Sequence, residues 1–357
     1  MDKAKKQTGL TQRSPTGRGI RVAVLDTGVD LAHPDLQGRI NERLSRSFSL
    51  RDDILDRNGH GTHIAGIIGG TGRESGGLYR GVAPECEIIV FKIAEQGTAY
   101  EGNAVAAIEA AIDARVDIIN YSHGSVPKTI GDPPWLWPEQ LSTLEDAFVD
   151  ASEAGILCVV AAGNAGPREG SISSPGGLDE VIAVGSISSD AKLLTNSSRG
   201  PYRRSRALRA GGATRFDRIL HTDVRCIRKP DVVAPGEVVA PRAYGCMLTD
   251  DPELDDPHYV LLKGTSQATA IVSGLAALLL ETVRETRIDL GERPTRTIRR
   301  LFGNAAIRPD DARTDEVGSG MPFWPNLVGV LRDYHADADF RNQVMHDGIE
   351  LLPDNNG

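Results

Sequence analysis

Short runs of largely uninterrupted apolar residues punctuate the chain: IRVAVL at 20–25, EIIVFKI at 87–93, VDIINY at 116–121, ILCVVA at 156–161 and VIAVGS at 181–186. Runs that are apolar at consecutive rather than alternate positions suit strands covered on both faces, as in a parallel sheet. Between them, 102–114 and 141–154 read as helices. Another helix is predicted to open at His60, where Gly61, Ala65, Gly66 and Gly69 allow close approach to a neighbouring element. A further apolar run at 259–262 turns at Gly264 into a long Ala/Leu/Val-rich helix opening at Ser266 and running towards Arg284. Strands alternating with helices, with glycine-rich turns at the strand ends, predict an α/β fold built on a doubly wound, mostly parallel sheet with helices on both faces. The expected organisation is one domain over 19–335, preceded by an arm at 1–18 and followed by a peripheral tail at 336–357, with GSGMPFWPNLVGVL at 318–331 as a closing turn and strand. No internal repeat or linker divides the chain.

Composition narrows the class. A chain of 357 residues, 40 % of them hydrophobic, can bury a large core. The net charge of -9 supplies no global positive field for phosphates, so nucleic acid is not expected as a partner. Against this acidic background the segment 198–229 is strongly basic and reads as a solvated loop ahead of a patch for an acidic partner or phosphate. The positively charged first residues lack the apolar segment of a secretory signal, and no run reads as a membrane span; the expectation is a cytoplasmic protein without a membrane partner, unless a leader has been removed. Cys86, Cys158, Cys226 and Cys246 lack close pairing and metal-type spacing and are expected to be reduced, with Cys86 and Cys158 in or beside core strands. The segment 126–140, with Trp135, Trp137 and several prolines, reads either as a surface loop pinned by its tryptophans or as a pocket wall.

Three side chains stand where chemistry is commonly found. Asp26 follows the first strand, where open α/β sheets place their active sites, although that segment alone reads equally well as a turn or capping aspartate. His60 sits between glycines at a helix start; His63 lies three residues on, but with no HExxH pattern and no third ligand nearby a metal pair is not expected. Ser266, at a helix start, would by itself be read as an N-cap. Taken together, they are a nucleophile, a base to take its proton, and an acid to orient that base. Their order, Asp, His, Ser, matches neither the α/β-hydrolases nor the chymotrypsin-like proteases.

The segments DTGVDLAHPDL around Asp26, GHGTHIAG around His60 and GTSQATAIVSG around Ser266 resemble the three signatures of the subtilisin-like serine proteases, the subtilases, in the family's order. YRGVAPECEI, DIINYSHG, VVAAGNAGP, SSPGGLDEVIAVGS and KPDVVAPG resemble its intervening blocks, so the likeness runs from about residue 19 to 284. The resemblance implies a serine endopeptidase hydrolysing extended polypeptides through an acyl-enzyme, with Asp26 orienting His60, His60 as general base and acid, Ser266 as nucleophile and Asn164 donating in the oxyanion hole. It implies that a polypeptide substrate adds as a strand between Gly97, Thr98, Ala99 and Ser122, His123, Gly124, with the latter segment and Ala161, Ala162, Gly163 and Asn164 walling a neutral first subsite that prefers uncharged P1 residues. Glu101 falls where relatives often line the fourth subsite and is expected to favour a basic P4 side chain. A catalytically silent binding protein, a dedicated precursor-processing protease and a ligase are the alternatives on the same residues.

The departures carry their own expectations. Gln267 replaces the methionine beside the nucleophile and predicts tolerance of peroxide. Ala270 and Ile271 stand where the family usually has other residues, and Ser174–Pro175 is expected to be cis. The loop 69–78 lacks the ligand pattern of the family's strong calcium site; Asp35 could contribute an oxygen, but no cofactor or metal is expected to be required.

Overall fold

The computed structural model describes residues 1–97, 99–124, 142–207, 222–246, 248, 251, 254, 256–309 and 312–346. Its strands are β1 (Arg21–Asp26), β2 (Arg46–Ser47), β3 (Glu87–Lys92), β4 (Ile118–Tyr121), β5 (Leu157–Ala161) and β6 (Val181–Ile187). They are followed by β7 (Tyr202–Ala207), β8 (Thr222–Ile227), β9 (Val232–Pro235), β10 (Glu237–Pro241) and β11 (Tyr259–Lys263). Seven of these form one sheet in the order β2-β3-β1-β4-β5-β6-β9, and every neighbouring pair in it is parallel. The predicted fold class is therefore observed. Val22 and Val24 pack into one core, with Ile64, Ile271 and Leu275, while Ala23 and Leu25 pack into a second core on the other face, with Ile108 and Phe148. Burial on both faces explains why the strands are apolar at consecutive positions.

Chain order fixes where a cleft forms. From β1 the chain passes to β3 on one side and then crosses back to β4 on the other, so β1 and β4 flank a topological switch point. Asp26 is the last residue of β1, and Ser122 follows the last residue of β4. The helix Thr265–Thr286 runs beneath the sheet, nearly all of it buried. It is long and apolar enough to cross a membrane by length and composition, contrary to the expectation that no segment would be, yet its apolar faces are spent on the protein's own core.

Several elements differ from the sequence reading. The segment 318–331 yields only the short strand Met321–Pro322 and then a helix, Trp324–Ala336. Pro325 lies in its first turn, where a missing N–H costs nothing, and Trp324, Leu327, Leu331 and Tyr334 recur at helical spacing and are buried. The basic segment is not simply a loop: β7 and β8 pair antiparallel, from Tyr202 opposite Ile227 to Ala207 opposite Thr222; residues 208–221 lie outside the described residues. Among the described residues β11 pairs with β10 alone, antiparallel, outside the main sheet. At the N-terminus the helix Asp2–Gln7 is docked, with Met1 and Ala4 buried in the larger core. In the expected tail the helix Ala338–His346 contributes Val344 to that core, and 347–357 lie outside the described residues. The Ser174–Pro175 bond is cis.

Candidate active site

His60 is the first residue of the helix His60–Gly69, and the turn before it is shaped by one buried acid, Asp56. Asp56 Oδ1 accepts from the backbone N–H of Asn58 (3.0 Å) and Gly59 (2.8 Å) and from Thr27 Oγ1 (2.9 Å). Its Oδ2 accepts from Thr62 N (2.8 Å) and Thr62 Oγ1 (2.6 Å). One carboxylate thus satisfies orphan donors at the helix start and puts negative charge where the helix dipole favours it. Thr27 Oγ1 in turn accepts from Gly61 N at 2.9 Å. Gly61 is required for this approach, because a Cβ there would lie 2.2 Å from Gly28 O. The helix start is thereby held against the end of β1.

That packing brings His60 Nδ1 to 2.8 Å from Asp26 Oδ1, which also accepts from Thr27 N at 2.8 Å. Asp26 is fully buried, and its Oδ2 has no hydrogen-bond partner among the described residues. Burial alone would raise the Asp26 carboxyl, but the facing His60 and His123 imidazoles outweigh it and hold the group well below the usual carboxylate range. For His60, burial pulls towards the neutral form, but the charge and hydrogen bond of Asp26, with a contribution from Asp56, leave its pKa raised. His63 turns away: its Nε2 faces the carbonyls of Val238 (3.2 Å) and Val260 (3.1 Å), and burial and His60 push it down to about 3, so it stays neutral.

Ser266 is the second residue of its helix and does not cap it; Gly264 holds the N-cap position. The plain capping reading of this serine is therefore set aside. Its Oγ donates to Ser122 O at 3.1 Å, while Ser122 Oγ donates to Ser266 O at 3.2 Å, tying the end of β4 to the helix start. Asn120 extends the tie, donating to Ser122 Oγ (3.1 Å) and accepting from Ser273 Oγ (2.9 Å). Asn164 follows β5, and its Oδ1 accepts from Thr265 N at 3.0 Å and Thr265 Oγ1 at 3.1 Å. With the oxygen committed to the helix start, the amide nitrogen is the end of Asn164 left to donate to a ligand.

The expected substrate-binding residues divide. Ser122, Gly124, Ala161, Ala162 and Gly163 lie together at the carboxyl ends of β4 and β5. Ser173 wedges between the two glycines: a Cβ at Gly124 would be 2.7 Å from Ser173 Cβ, and one at Gly163 would be 2.2 Å from Ser173 Oγ. His123 does not behave as a plain wall residue, because its Nε2 is 3.6 Å from Asp26 Oδ1. Gly97 and Ala99 precede the helix Glu101–Asp113, and Ala99 bridges back to Ala94; Thr98 and the Trp-bearing segment 126–140 lie outside the described residues. Glu101 has a structural partner, since its Oε1 accepts from Leu144 N at 3.1 Å.

Calcium fits the Asp35 region poorly. Asp35 Oδ1 accepts from Glu74 N (2.9 Å), Oδ2 accepts from Tyr259 Oη (2.8 Å), and the Asp35 carbonyl accepts from Thr71 N (3.0 Å). The loop thus turns donors towards Asp35, where calcium would need a shell of six to eight oxygens.

Sequence reasoning missed Asp56, Ser173 and the orientation of His123. Only Asp56 left a local signal, an acid two residues ahead of an Asn-Gly turn and six ahead of a threonine.

The subtilase family profile matches residues 17–320. The chain is 35 % identical to serine protease AprX of Bacillus subtilis, over 88 % of this chain and 67 % of that protein. It is 34 % identical to an intracellular serine protease of Paenibacillus polymyxa, over 74 % of this chain and 67 % of that protein. Among solved structures, sphericase superposes with a TM-score of 0.66 at 26 % identity, covering 90 % of this chain and 97 % of its own. The protease domain of PatA gives the same score and identity, covering 90 % and 98 %. The chain belongs to the subtilase family and is a subtilisin-like serine protease.

Proposed function

We propose that the protein is an endopeptidase that cleaves extended polypeptides through an acyl-enzyme formed on Ser266, with His60 as general base and then general acid and Asp26 as its orienting partner. The observation that carries this reading is the 2.8 Å contact between His60 Nδ1 and the buried Asp26 carboxylate. It sets the tautomer: Nδ1–H donates to Asp26, which leaves the Nε2 lone pair to take the Ser266 proton. In the resting geometry the Ser266 hydroxyl donates to Ser122 O, so it turns from that carbonyl to give its proton to His60 when substrate arrives. Attack on the scissile carbonyl places negative charge on its oxygen, which accepts from Asn164 Nδ2 and the Ser266 backbone N–H. The imidazolium, favoured by Asp26, then protonates the leaving amine, and water repeats the sequence to release the acid.

Substrate selection follows from the glycine walls. Gly124 and Gly163 would face the P1 side chain, and Ser173 narrows the space between them; the subsite so formed suits small, uncharged P1 residues. We assign the protein to a reducing compartment, the cytoplasm, in keeping with its similarity to intracellular serine proteases and with the free thiols of Cys86, Cys158, Cys226 and Cys246.

The test is covalent labelling by a fluorophosphonate probe together with mapping of cleavage sites in a denatured proteome. The native protein is expected to label at Ser266 and to cut at many sites sharing a small uncharged P1, and Ser266→Ala to do neither. Labelling of the native protein no better than Ser266→Ala would overturn the proposal.

A further inference from the structure

The contact between His123 and Asp26 gives the site a second imidazole that acyl transfer does not use. His123 Nε2 is 3.6 Å from Asp26 Oδ1 on one side, and His60 Nδ1 is 2.8 Å from the same oxygen on the other. The two rings meet edge to face, with centroids 5.8 Å apart. One ligand atom from each of Asp26, His60 and His123 falls within 4.8 Å of the others. Among the described residues, Asp26 Oδ2 and His123 Nε2 are buried with no partner at hydrogen-bond distance. A buried carboxylate oxygen and a buried ring nitrogen, each without a partner at hydrogen-bond distance, are each costly.

We propose that this cluster is an inhibitory site for a divalent transition ion of the zinc type, held by the Asp26 carboxylate, His60 Nδ1 and His123 Nε2, with water or the Ser266 side as the fourth position. Ligand atoms about 2.1 Å from a tetrahedral ion lie about 3.4 Å apart. The two separations from Asp26 Oδ1, 2.8 and 3.6 Å, bracket that value, and the two ring nitrogens lie within 4.8 Å of each other, so the imidazoles must close on the ion to complete the set. Imidazole and carboxylate are the donors that zinc takes, and two nitrogens make the set a poor one for calcium or magnesium. The His60 and His123 side chains are 20 % and 11 % exposed, which gives an ion in the cleft a route to the site.

Binding exchanges the Nδ1 proton for the ion. The Nδ1–H bond of His60 breaks and the freed lone pair forms the bond to the ion; from the neutral ring that proton is relayed through solvent to Nε2 with no net release, and from the imidazolium it leaves to solvent while the Nε2 proton stays. Either way the proton that remains is on Nε2, so His60 has no lone pair for Ser266, and Asp26 no longer orients it. Inhibition therefore rests on the proposed triad, whereas binding rests only on the cluster, and the two are measured separately.

Binding is tested with ZnCl2 by titration calorimetry on Ser266→Ala, which avoids self-digestion. Inhibition is tested with ZnCl2 on the active enzyme, with EDTA to reverse it. One zinc per chain, an affinity that weakens as pH falls, and EDTA-reversible loss of activity are expected. His123→Gln and His123→Leu are each expected to raise the ZnCl2 concentration for half-inhibition at least about tenfold, read as a ratio to each variant's own zinc-free rate. His258→Asn, which removes the exposed histidine 3.5 Å from Glu74, is the control for a surface site. Unchanged zinc sensitivity in both His123 variants, or its loss in His258→Asn, would overturn the proposal, as would the absence of calorimetric binding. Zinc binding to Ser266→Ala in a native protein that fails to label with fluorophosphonate would keep the metal site and sink the triad reading instead.

Discussion

Replacing Asp56 with asparagine removes one charge and no volume, and it tests whether the turn ahead of His60 is held by that carboxylate. Five donors converge on Asp56, three on Oδ1 and two on Oδ2. An asparagine that keeps its oxygen at the Oδ1 position retains the first three and turns an NH2 towards Thr62 N and Thr62 Oγ1. The threonine hydroxyl can rotate and accept, but the Thr62 N–H loses its acceptor in a buried place, at a cost of about 1–3 kcal/mol. The helix start also loses a compensating charge, worth about 0.3–1 kcal/mol. Together these predict a destabilisation of about 1.5–4 kcal/mol, read as a fall of several degrees in Tm with Ser266→Ala as the common background.

The same change reaches catalysis through His60. Asp56 is among the charges that raise the His60 pKa, so its removal lowers that pKa and moves the acid limb of kcat/KM to lower pH. Loss of the ordered turn loosens the imidazole, and kcat is expected to fall about 10- to 100-fold. The linkage has a definite sign. A histidine whose pKa is raised on folding stabilises the fold fully below its unfolded value, about 6.5, and that contribution is lost as pH rises through the folded pKa. Asp56→Asn should therefore show a flatter dependence of Tm on pH above about 6.5 than its parent. A variant that melts with the parent and keeps its acid limb in place would refute the reasoning, because the turn would then be held by something other than this carboxylate.

Three further outcomes are expected. Asn164→Ala should lower kcat about 10²- to 10³-fold with little change in KM, the effect of losing one oxyanion donor in subtilisin; a KM effect alone in steady-state kinetics would mean that Asn164 binds substrate rather than the transition state. Ser173→Gly should widen the space between Gly124 and Gly163 and move P1 preference in a peptide library towards Leu and Phe, and an unchanged library profile would remove Ser173 from the subsite. EGTA should leave Tm unchanged, while Tyr259→Phe, which deprives Asp35 Oδ2 of its donor, should lower it by about 1–3 kcal/mol in stability; a large drop in EGTA would mean that an ion, not Tyr259 and Glu74, satisfies Asp35.

Much of the fold was legible because its signal is local and repeated. β1, β3, β4, β5 and β6 are buried on both faces, so each leaves a consecutive apolar run, and these five were located to within a residue or two. Short edges such as β2 leave no such run. The segment 318–331 was misassigned because Trp324, Leu327 and Leu331 are spaced for a helix, but glycine and proline on either side punctuate like a turn. The hairpin of β7 and β8 was missed because its arginine-rich composition reads as solvated chain, and backbone pairing leaves no mark on charge.

The candidate site divides along the same line, between what motif spacing carries and what only packing decides. Asp26, His60, Asn164 and Ser266 are each anchored at the end of an element, so a reading of the elements finds their positions. The direction in which a side chain points is set by partners distant in sequence. Glu101, read as a substrate contact, accepts from Leu144 N, and the Ser266 hydroxyl is turned to Ser122 O rather than to His60. His123 is the sharpest instance. Within SHG it is one wall residue among three, and nothing local distinguishes its two faces. The parallel pairing of Leu25 with Tyr121 brings the residues just beyond β4 alongside the end of β1, and a ring at position 123 then has one strong local charge to turn towards, Asp26. A leucine at 123 would turn to the apolar side; a histidine is drawn to the carboxylate, and the site gains an imidazole that its acyl chemistry does not need.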